Sequence, residues 1–269
     1  MDVIVIGAGP AGITAGLYLH RSNFQTLILH NNTSSLQKDY QIDNYYGEST
    51  QGEVLYKKGI NQANALGIEI KEEDVIEISY NGMYQVKTNK EIYEAKYLVL
   101  ATGKKKKELK IPGLKDYVGE GVSYCAVCDA FFYKGKVVAV IGDGLYAEHE
   151  KEILEQVCAK VYLLSHENNK ITKIKKSDQF EIYFENETVI EVDGVFVALG
   201  ISDTQTLSSN LGIKIENGFI SVDENQKTNL PNCYACGDVT GGVLQISSAV
   251  NEGMKVALAI IKNRKEEKK

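Results

Sequence analysis

The chain is short of several things, and each shortage removes a class of function. Its 269 residues hold only three prolines and no low-complexity tract, which argues against long disordered linkers. No apolar run approaches the roughly 18 residues that a membrane span requires. Basic residues are outnumbered, 30 against 36 acidic ones, and the net charge of −6 disfavours nucleic acid, because neutralising phosphates takes a basic face. The N-terminus carries no charged leader and no cleavable apolar segment, so the expected location is cytoplasmic, with no membrane partner. Cysteines number five, an odd count in a chain without an export signal. A framework of structural disulfides is therefore not expected, whereas catalytic or buried thiols are. What remains, with 43% apolar and 25% charged residues, is ordinary globular material, long enough for two domains.

What is present is organised around two similar beginnings. Val3-Ile4-Val5-Ile6 reads as a short buried strand, followed by glycines at 7, 9 and 12, a helix over Ile13 to Arg21 and a second strand over Thr26 to Leu29. A second copy has its strand at Val137 to Ile141, its turn at Gly142-Asp143-Gly144-Leu145-Tyr146-Ala147, its helix over Glu148 to Val157 and its next strand at Lys160 to Leu164. Two such starts about 135 residues apart predict an α/β protein with two Rossmann-like domains of the FAD/NAD(P)-binding, three-layer ββα type. Towards the C-terminus, Leu230-Pro231 leads to a strand over Cys233 to Cys236, then Gly237-Asp238, then an apolar helix over Gln245 to Lys262. That helix has no strand partner nearby in sequence, so it should complete the first domain. The expected division is 1–111 plus 212–269 for the first domain, with a shortened second domain, 112–211, inserted in it. Lys262 to Lys269 reads as a solvated, fraying tail.

Gly7-Ala8-Gly9-Pro10-Ala11-Gly12 has a mechanical reading. Gly7 allows the tight turn, Gly9 lets the backbone approach a pyrophosphate, and Gly12 lets helix pack on strand, with the helix N-terminus facing the phosphates. The acidic ribose ligand usual at the end of the second strand is missing, since His30 and Asn31 follow Leu29. NAD is accordingly disfavoured at this first site. The second constellation is Cys125-Ala126-Val127-Cys128-Asp129. Two cysteines so spaced can open and close a disulfide, one thiol attacking an external disulfide and the other resolving it, while Asp129 is placed to move a proton to or from a sulfur. Half a zinc site and plain core are the alternatives. Zinc would need two more ligands, and the candidates, Cys233 and Cys236, read as small residues of a buried strand; no metal is expected. Cys158, late on a helix, reads as core.

Three segments in order, Gly7 to Gly12, Gly121-Val122-Ser123-Tyr124-Cys125-Ala126-Val127-Cys128-Asp129, and Ala235-Cys236-Gly237-Asp238-Val239, closely resemble the low-molecular-weight thioredoxin reductases. The likeness covers almost the whole chain. It implies FAD as cofactor, with Cys128 against the flavin, Cys125 attacking the thioredoxin disulfide and Asp129 as acid/base. Gly237 and Asp238 would hold the ribityl–phosphate region. Gln245 and Ile246 would meet the flavin ring, Asn44 would lie near it, and Thr102 and Gly103 would line the cofactor's path. A homodimer is implied too, as is a swinging small domain hinged near Ile111-Pro112-Gly113 and Gly200. Two places depart from the family: Thr33-Ser34-Ser35-Leu36 stands for its usual Gly-Gly-Gln-Leu, and Leu244 stands where an arginine often precedes Gln245.

The electron donor is where the likeness divides. Gly142 and Gly144 keep the first two glycines of a nucleotide turn, but the family's adjacent arginines, which grip a 2′-phosphate, are replaced by Ser165, His166 and Glu167. Asp143, Glu148 and Glu150 add negative charge at the turn and the first helical turn, where a pyrophosphate would sit; simple capping is the plainer reading. Only 27 residues separate Glu167 from the strand Val195 to Leu199. They alternate as strands do, and a further crossover helix with its strand does not fit, because one βαβ unit takes roughly 30 residues. The Pro-Asn pair that often follows is also absent near Ile201-Ser202-Asp203-Thr204. These losses resemble the ferredoxin-linked flavin thioredoxin reductases, which implies reduced ferredoxin as donor, with NAD(P)H as the alternative. Lys104 to Lys107 fits a solvated loop after a strand and could also steer an acidic ferredoxin.

Overall fold

The computed structural model describes residues 1–37, 41–103, 109–165, 168–199 and 204–267. Lys104 to Lys107, His166, Glu167, and Gly200 with Ile201 to Asp203, all singled out in the sequence, lie outside the described residues. The chain forms two compact units, Met1–Lys105 with Leu211–Lys269, and Lys106–Asn210.

The first unit begins with β1 (Val3–Ile6), α1 (Pro10–Arg21) and β2 (Thr26–His30), then the hairpin β3 (Gln41–Tyr45) and β4 (Glu48–Gln51). α2 (Gly52–Ala65) crosses to β5 (Glu69–Glu72), a meander of β6 (Val75–Tyr80), β7 (Tyr84–Thr88) and β8 (Ile92–Ala95) follows, and β9 (Tyr97–Leu100) returns to the first sheet. The second unit holds β10 (Val122–Ser123), α3 (Ala126–Asp129), β11 (Val137–Gly142), α4 (Gly144–Glu155) and β12 (Lys160–Leu164). The antiparallel strands β13 (Ile171–Lys176), β14 (Phe180–Phe184) and β15 (Val189–Val192) come next, then β16 (Gly194–Ala198) and α5 (Thr204–Leu211). The chain then returns to the first unit with β17 (Ile215–Glu216), β18 (Phe219–Ile220), β19 (Cys233–Ala235) and α6 (Ile246–Glu266).

Each unit is built on a parallel sheet, in the order β19-β9-β1-β2-β5 in the first and β10-β16-β11-β12 in the second. β1 and β9 are buried along their whole length, which is why they read as unbroken apolar runs rather than alternations. The two units follow one plan: strand, helix, strand, three antiparallel strands, and a strand that returns beside the first. β9 pairs with β1 and β16 with β11, both in parallel. The close approach is repeated as well. A Cβ on Gly7 would meet the Ala101 carbonyl oxygen at 2.1 Å, and one on Gly142 would meet that of Ala198 at 2.2 Å. Within that plan, where the first unit inserts the hairpin β3–β4, α2 and β5, the second passes from β12 to β13 with no described helix between them, as the 27-residue interval required.

Some expected boundaries move. α1 starts at Pro10 rather than Ile13, because proline's fixed φ and missing N–H suit a first helical position. α4 starts at Gly144 rather than Glu148 and stops at Glu155, so Cys158 lies beyond its end and is half-buried rather than core. As far as Glu267, the C-terminal stretch is not a fraying tail. α6 continues to Glu266, and the Arg264 guanidinium sits 3.3 Å from the centre of the Phe24 ring while donating to the carbonyls of Ser22 and Asn23. Lys96 pairs with Glu267, which also accepts from the Tyr97 hydroxyl.

Candidate active site

In the first unit, the expected cofactor residues gather beyond the C-terminal ends of three neighbouring parallel strands. β1 ends at Ile6 and leads to Gly7; β9 ends at Leu100 and leads to Thr102 and Gly103; β19 ends at Ala235 and leads to Gly237 and Asp238. Ligands of open α/β sheets bind at this edge. A Cβ at Gly12 would meet the Gly7 carbonyl oxygen at 1.9 Å, whereas one at Gly9 would meet nothing within 4 Å. The first contact locks helix to turn, and the second leaves the backbone open to a phosphate. Pro10 and Ala11 start α1, with Ala11 buried. Gln245 is the N-cap of α6, Ile246 its first residue, and the Asn44 amide donates to the Gln245 side-chain oxygen at 3.1 Å. A cavity of about 180 Å³ is lined in part by Gly9, Pro10, Leu36, Tyr45 and Ile246. Beside these groups, Thr102 Oγ1 is buried without a hydrogen-bond partner among the described residues. Glu252 on α6 accepts from the Gly237 N–H at 2.7 Å and the Thr240 hydroxyl at 3.0 Å, which holds the turn after β19. His30, where an acid would bind ribose, lies 3.2 Å from the Tyr56 hydroxyl; burial holds its imidazole below the usual range, against the opposing charge of Glu72.

In the second unit, β10 ends at Ser123 and Cys125 caps α3. Cys125 and Cys128 form a disulfide with their Cα atoms 5.3 Å apart. The Cys128 N–H points at Cys125 Sγ, at 3.1 Å. The Cys128 sulfur lies 3.5 Å from the Ser209 carbonyl oxygen, in the last turn of α5. The Ser123 hydroxyl donates to Asp129 Oδ2 at 2.6 Å and accepts the Cys125 N–H at 3.1 Å. Cys125 is 3% exposed and Cys128 exposed, with Val127, Phe131 and Phe132 exposed close to it in sequence. Cys233 and Cys236 are free and fully buried. Burial pushes the Cys233 thiol up to about 12 and the Cys236 thiol up as well, so neither offers a thiolate at neutral pH.

A sequence profile described as pyridine nucleotide-disulphide oxidoreductase matches residues 1–170 and 152–253. The thioredoxin reductase of Bacillus subtilis (strain 168) is 31% identical over 96% of this chain and 93% of its own. The chain belongs to this oxidoreductase family, among its low-molecular-weight thioredoxin reductases. Among solved structures, the atypical thioredoxin reductase of Desulfovibrio vulgaris Hildenborough is similar with a TM-score of 0.90, at 31% identity over 99% of this chain and 98% of that one. A ferredoxin-flavin thioredoxin reductase from Clostridium acetobutylicum is similar with a TM-score of 0.80, at 28% identity and 98% coverage of each chain. The family fixes the cofactor as FAD, and the cradle fits it: an open backbone at Gly9, an apolar cavity beside it and an unsatisfied hydroxyl at Thr102.

The second glycine turn departs from its expected reading. Asp143 is the N-cap of α4 but makes no side-chain cap hydrogen bond. Glu150 is not a first-turn acid facing a phosphate. It lies in the second turn of α4, is 3% exposed, and accepts the Ala126 N–H at 2.6 Å, so it holds the first residue of the disulfide helix. Neither Glu150 nor Ser123 was identified from sequence as a site residue. Ser123 could have been, since a hydroxyl two residues before a helix-capping cysteine is well placed to take that cysteine's N–H. Glu150 could not, because its role exists only once α4 packs beside α3.

Proposed function

We propose that this flavoprotein reduces the disulfide of thioredoxin through FAD and the Cys125–Cys128 pair, with electrons from reduced ferredoxin. The observation that carries the donor assignment is the second unit's missing crossover: β12 runs into an antiparallel sheet where a dinucleotide domain would continue with helix and parallel strand. The similarity to the Clostridium acetobutylicum protein supports the same reading. Retained Gly142 and Gly144, and the likeness to the Bacillus subtilis thioredoxin reductase, favour a second reading, NAD(P)H in a reduced form of that site. The working domain division is 1–111 with 212–269 and 112–211, in a cytoplasmic homodimer.

Gly7, Gly9, Pro10, Ala11 and Gly12 would hold the FAD pyrophosphate, Gly237 and Asp238 the ribityl side, and Asn44, Gln245 and Ile246 the ring, with Thr102 and Gly103 along the way. Bound FAD supplies a centre that takes up electrons singly and gives them up in pairs. The protein's own part is exchange chemistry. In the dithiol form, the Cys128 N–H stabilises negative charge on Cys125, whereas the Ser209 carbonyl accepts a proton-bearing Cys128 sulfur. Cys125 is thus the better nucleophile, although it is the covered sulfur, so the attack requires the α3 turn to present it. Its thiolate displaces one thioredoxin sulfur as thiolate, Asp129 supplies that sulfur's proton, and Cys128, losing its own, closes the internal disulfide and releases the second thioredoxin sulfur. The exposed Val127, Phe131 and Phe132 give a partner an apolar seat beside Cys128.

Anaerobic titration tests the proposal. Reduced ferredoxin should bleach the flavin and sustain thioredoxin reduction, stoichiometric NADPH should do neither, and Cys128→Ser should abolish thioredoxin reduction while keeping the yellow cofactor. Rapid bleaching by NADPH would refute the donor assignment.

A further inference from the structure

We infer that Ser123 is a positioning residue for the disulfide exchange, one that fixes which oxygen of Asp129 carries the transferred proton. The inference rests on the proposed role of Asp129 as acid/base. Ser123 is 9% exposed, at the end of β10, and its hydroxyl has a single proton. The shorter of its contacts as donor is to Asp129 Oδ2, at 2.6 Å; its contact to the Cys125 carbonyl is 3.3 Å. In return, its oxygen takes the Cys125 N–H at 3.1 Å. The arrangement is a relay of orientation: the backbone of one redox cysteine sets the hydroxyl, and the hydroxyl sets the carboxyl. With Oδ2 held as an acceptor, Oδ1 is the oxygen that gains and loses the proton.

The consequence follows from the chemistry of the leaving group. When the Cys125 thiolate attacks an alkyl disulfide, the S–S bond breaks, a Cys125–S–S–R bond forms, and an alkyl thiolate leaves that must be protonated at neutral pH. When the disulfide is aromatic, the departing thiolate is weakly basic and leaves without help. A residue that aims the acid should matter for the first and not the second, whereas one that merely supports α3 should affect both alike. Among the described residues, Glu150 meets this turn at the Ala126 N–H, and Tyr133 faces Asp129, its hydroxyl raised by burial and then by Asp129. Both are present in every variant below.

The test uses FAD-loaded, dithionite-reduced protein mixed with hydroxyethyl disulfide or with a nitrobenzoate disulfide, with reoxidation of the pair followed in a single turnover. Ser123→Ala should slow the alkyl reaction about tenfold more than the aromatic one. Ser123→Thr, which keeps the hydroxyl, should restore most of that difference. Ser123→Ala combined with Asp129→Asn should be no slower than Asp129→Asn alone, because the two act through one proton. Equal slowing of both disulfides, or additive losses in the double variant, would overturn the inference while leaving the proposed function standing. Failure of the parent protein to reduce any disulfide would overturn the proposed function itself.

Discussion

At the scale of single residues, the site is a matter of which buried groups have partners. Glu150 shows it best. Removing its carboxylate leaves the Ala126 N–H without an acceptor inside the protein, and a stranded buried donor costs about 1–3 kcal/mol. Glu150→Ala should therefore lower unfolding free energy by that amount in a urea titration, whereas Glu150→Gln, which keeps an oxygen in place, should lose much less. Cys158 offers a different test. Burial raises its thiol, so near the usual cysteine value of about pH 8.5 it holds less thiolate than an exposed cysteine does. Iodoacetamide should label it more slowly than free cysteine at pH 8, and the rate should keep climbing with pH after free cysteine has levelled off. Cys233 and Cys236 should be labelled only after unfolding. At this scale the sequence was a fair guide to local geometry. The spacing of Cys125 and Cys128 let them pair, and Ser123 and Asp129, which meet beside them, lie in the same segment. Glu150 was misread, because a residue's distance from a turn in sequence says nothing about which neighbouring helix its side chain will meet.

At the scale of elements, the legible parts were those whose residue pattern has one physical solution. Val3 to Ile6 can only be a strand buried on both faces, and Gly12 can only be small, since any side chain there runs into the Gly7 carbonyl. Gly12→Ala should force α1 away from its turn, and the purified protein should emerge colourless, with its absorbance near 450 nm lost and not restored by added FAD. The less legible parts were element ends. α1 and α4 begin three or four residues earlier than the apolar pattern suggested, because a first helical turn is set by caps and backbone rather than by periodicity. The C-terminal lysine-rich stretch looked like solvent-bound helix end. Its described part is held by the stacking of Arg264 on Phe24, a contact between residues 240 positions apart in the sequence.

At the scale of the whole molecule, the repeated plan of the two units was visible as two glycine turns, and the loss of a crossover in the second was visible as a shortage of residues. Length is a robust signal because a helix and a strand cannot be built from residues that are not there. What the chain does with its electrons is less visible, since a donor is recognised by surfaces rather than by motifs.

The missing crossover has one more effect. In the first unit β2 is covered on its outer side by β5, but in the second unit β12 has no such neighbour among the described residues and ends the sheet. A strand at the edge of a sheet carries a row of amides and carbonyls unpaired by a neighbour, the situation that invites a foreign strand to zip on. Lys160 sits at the start of this rim with its ammonium 4.3 Å from the centre of the Tyr162 ring, a charge any docking strand would have to strip of water. The shortening that left the second unit without half a nucleotide fold thus also left it an open border, and a lysine stands guard there.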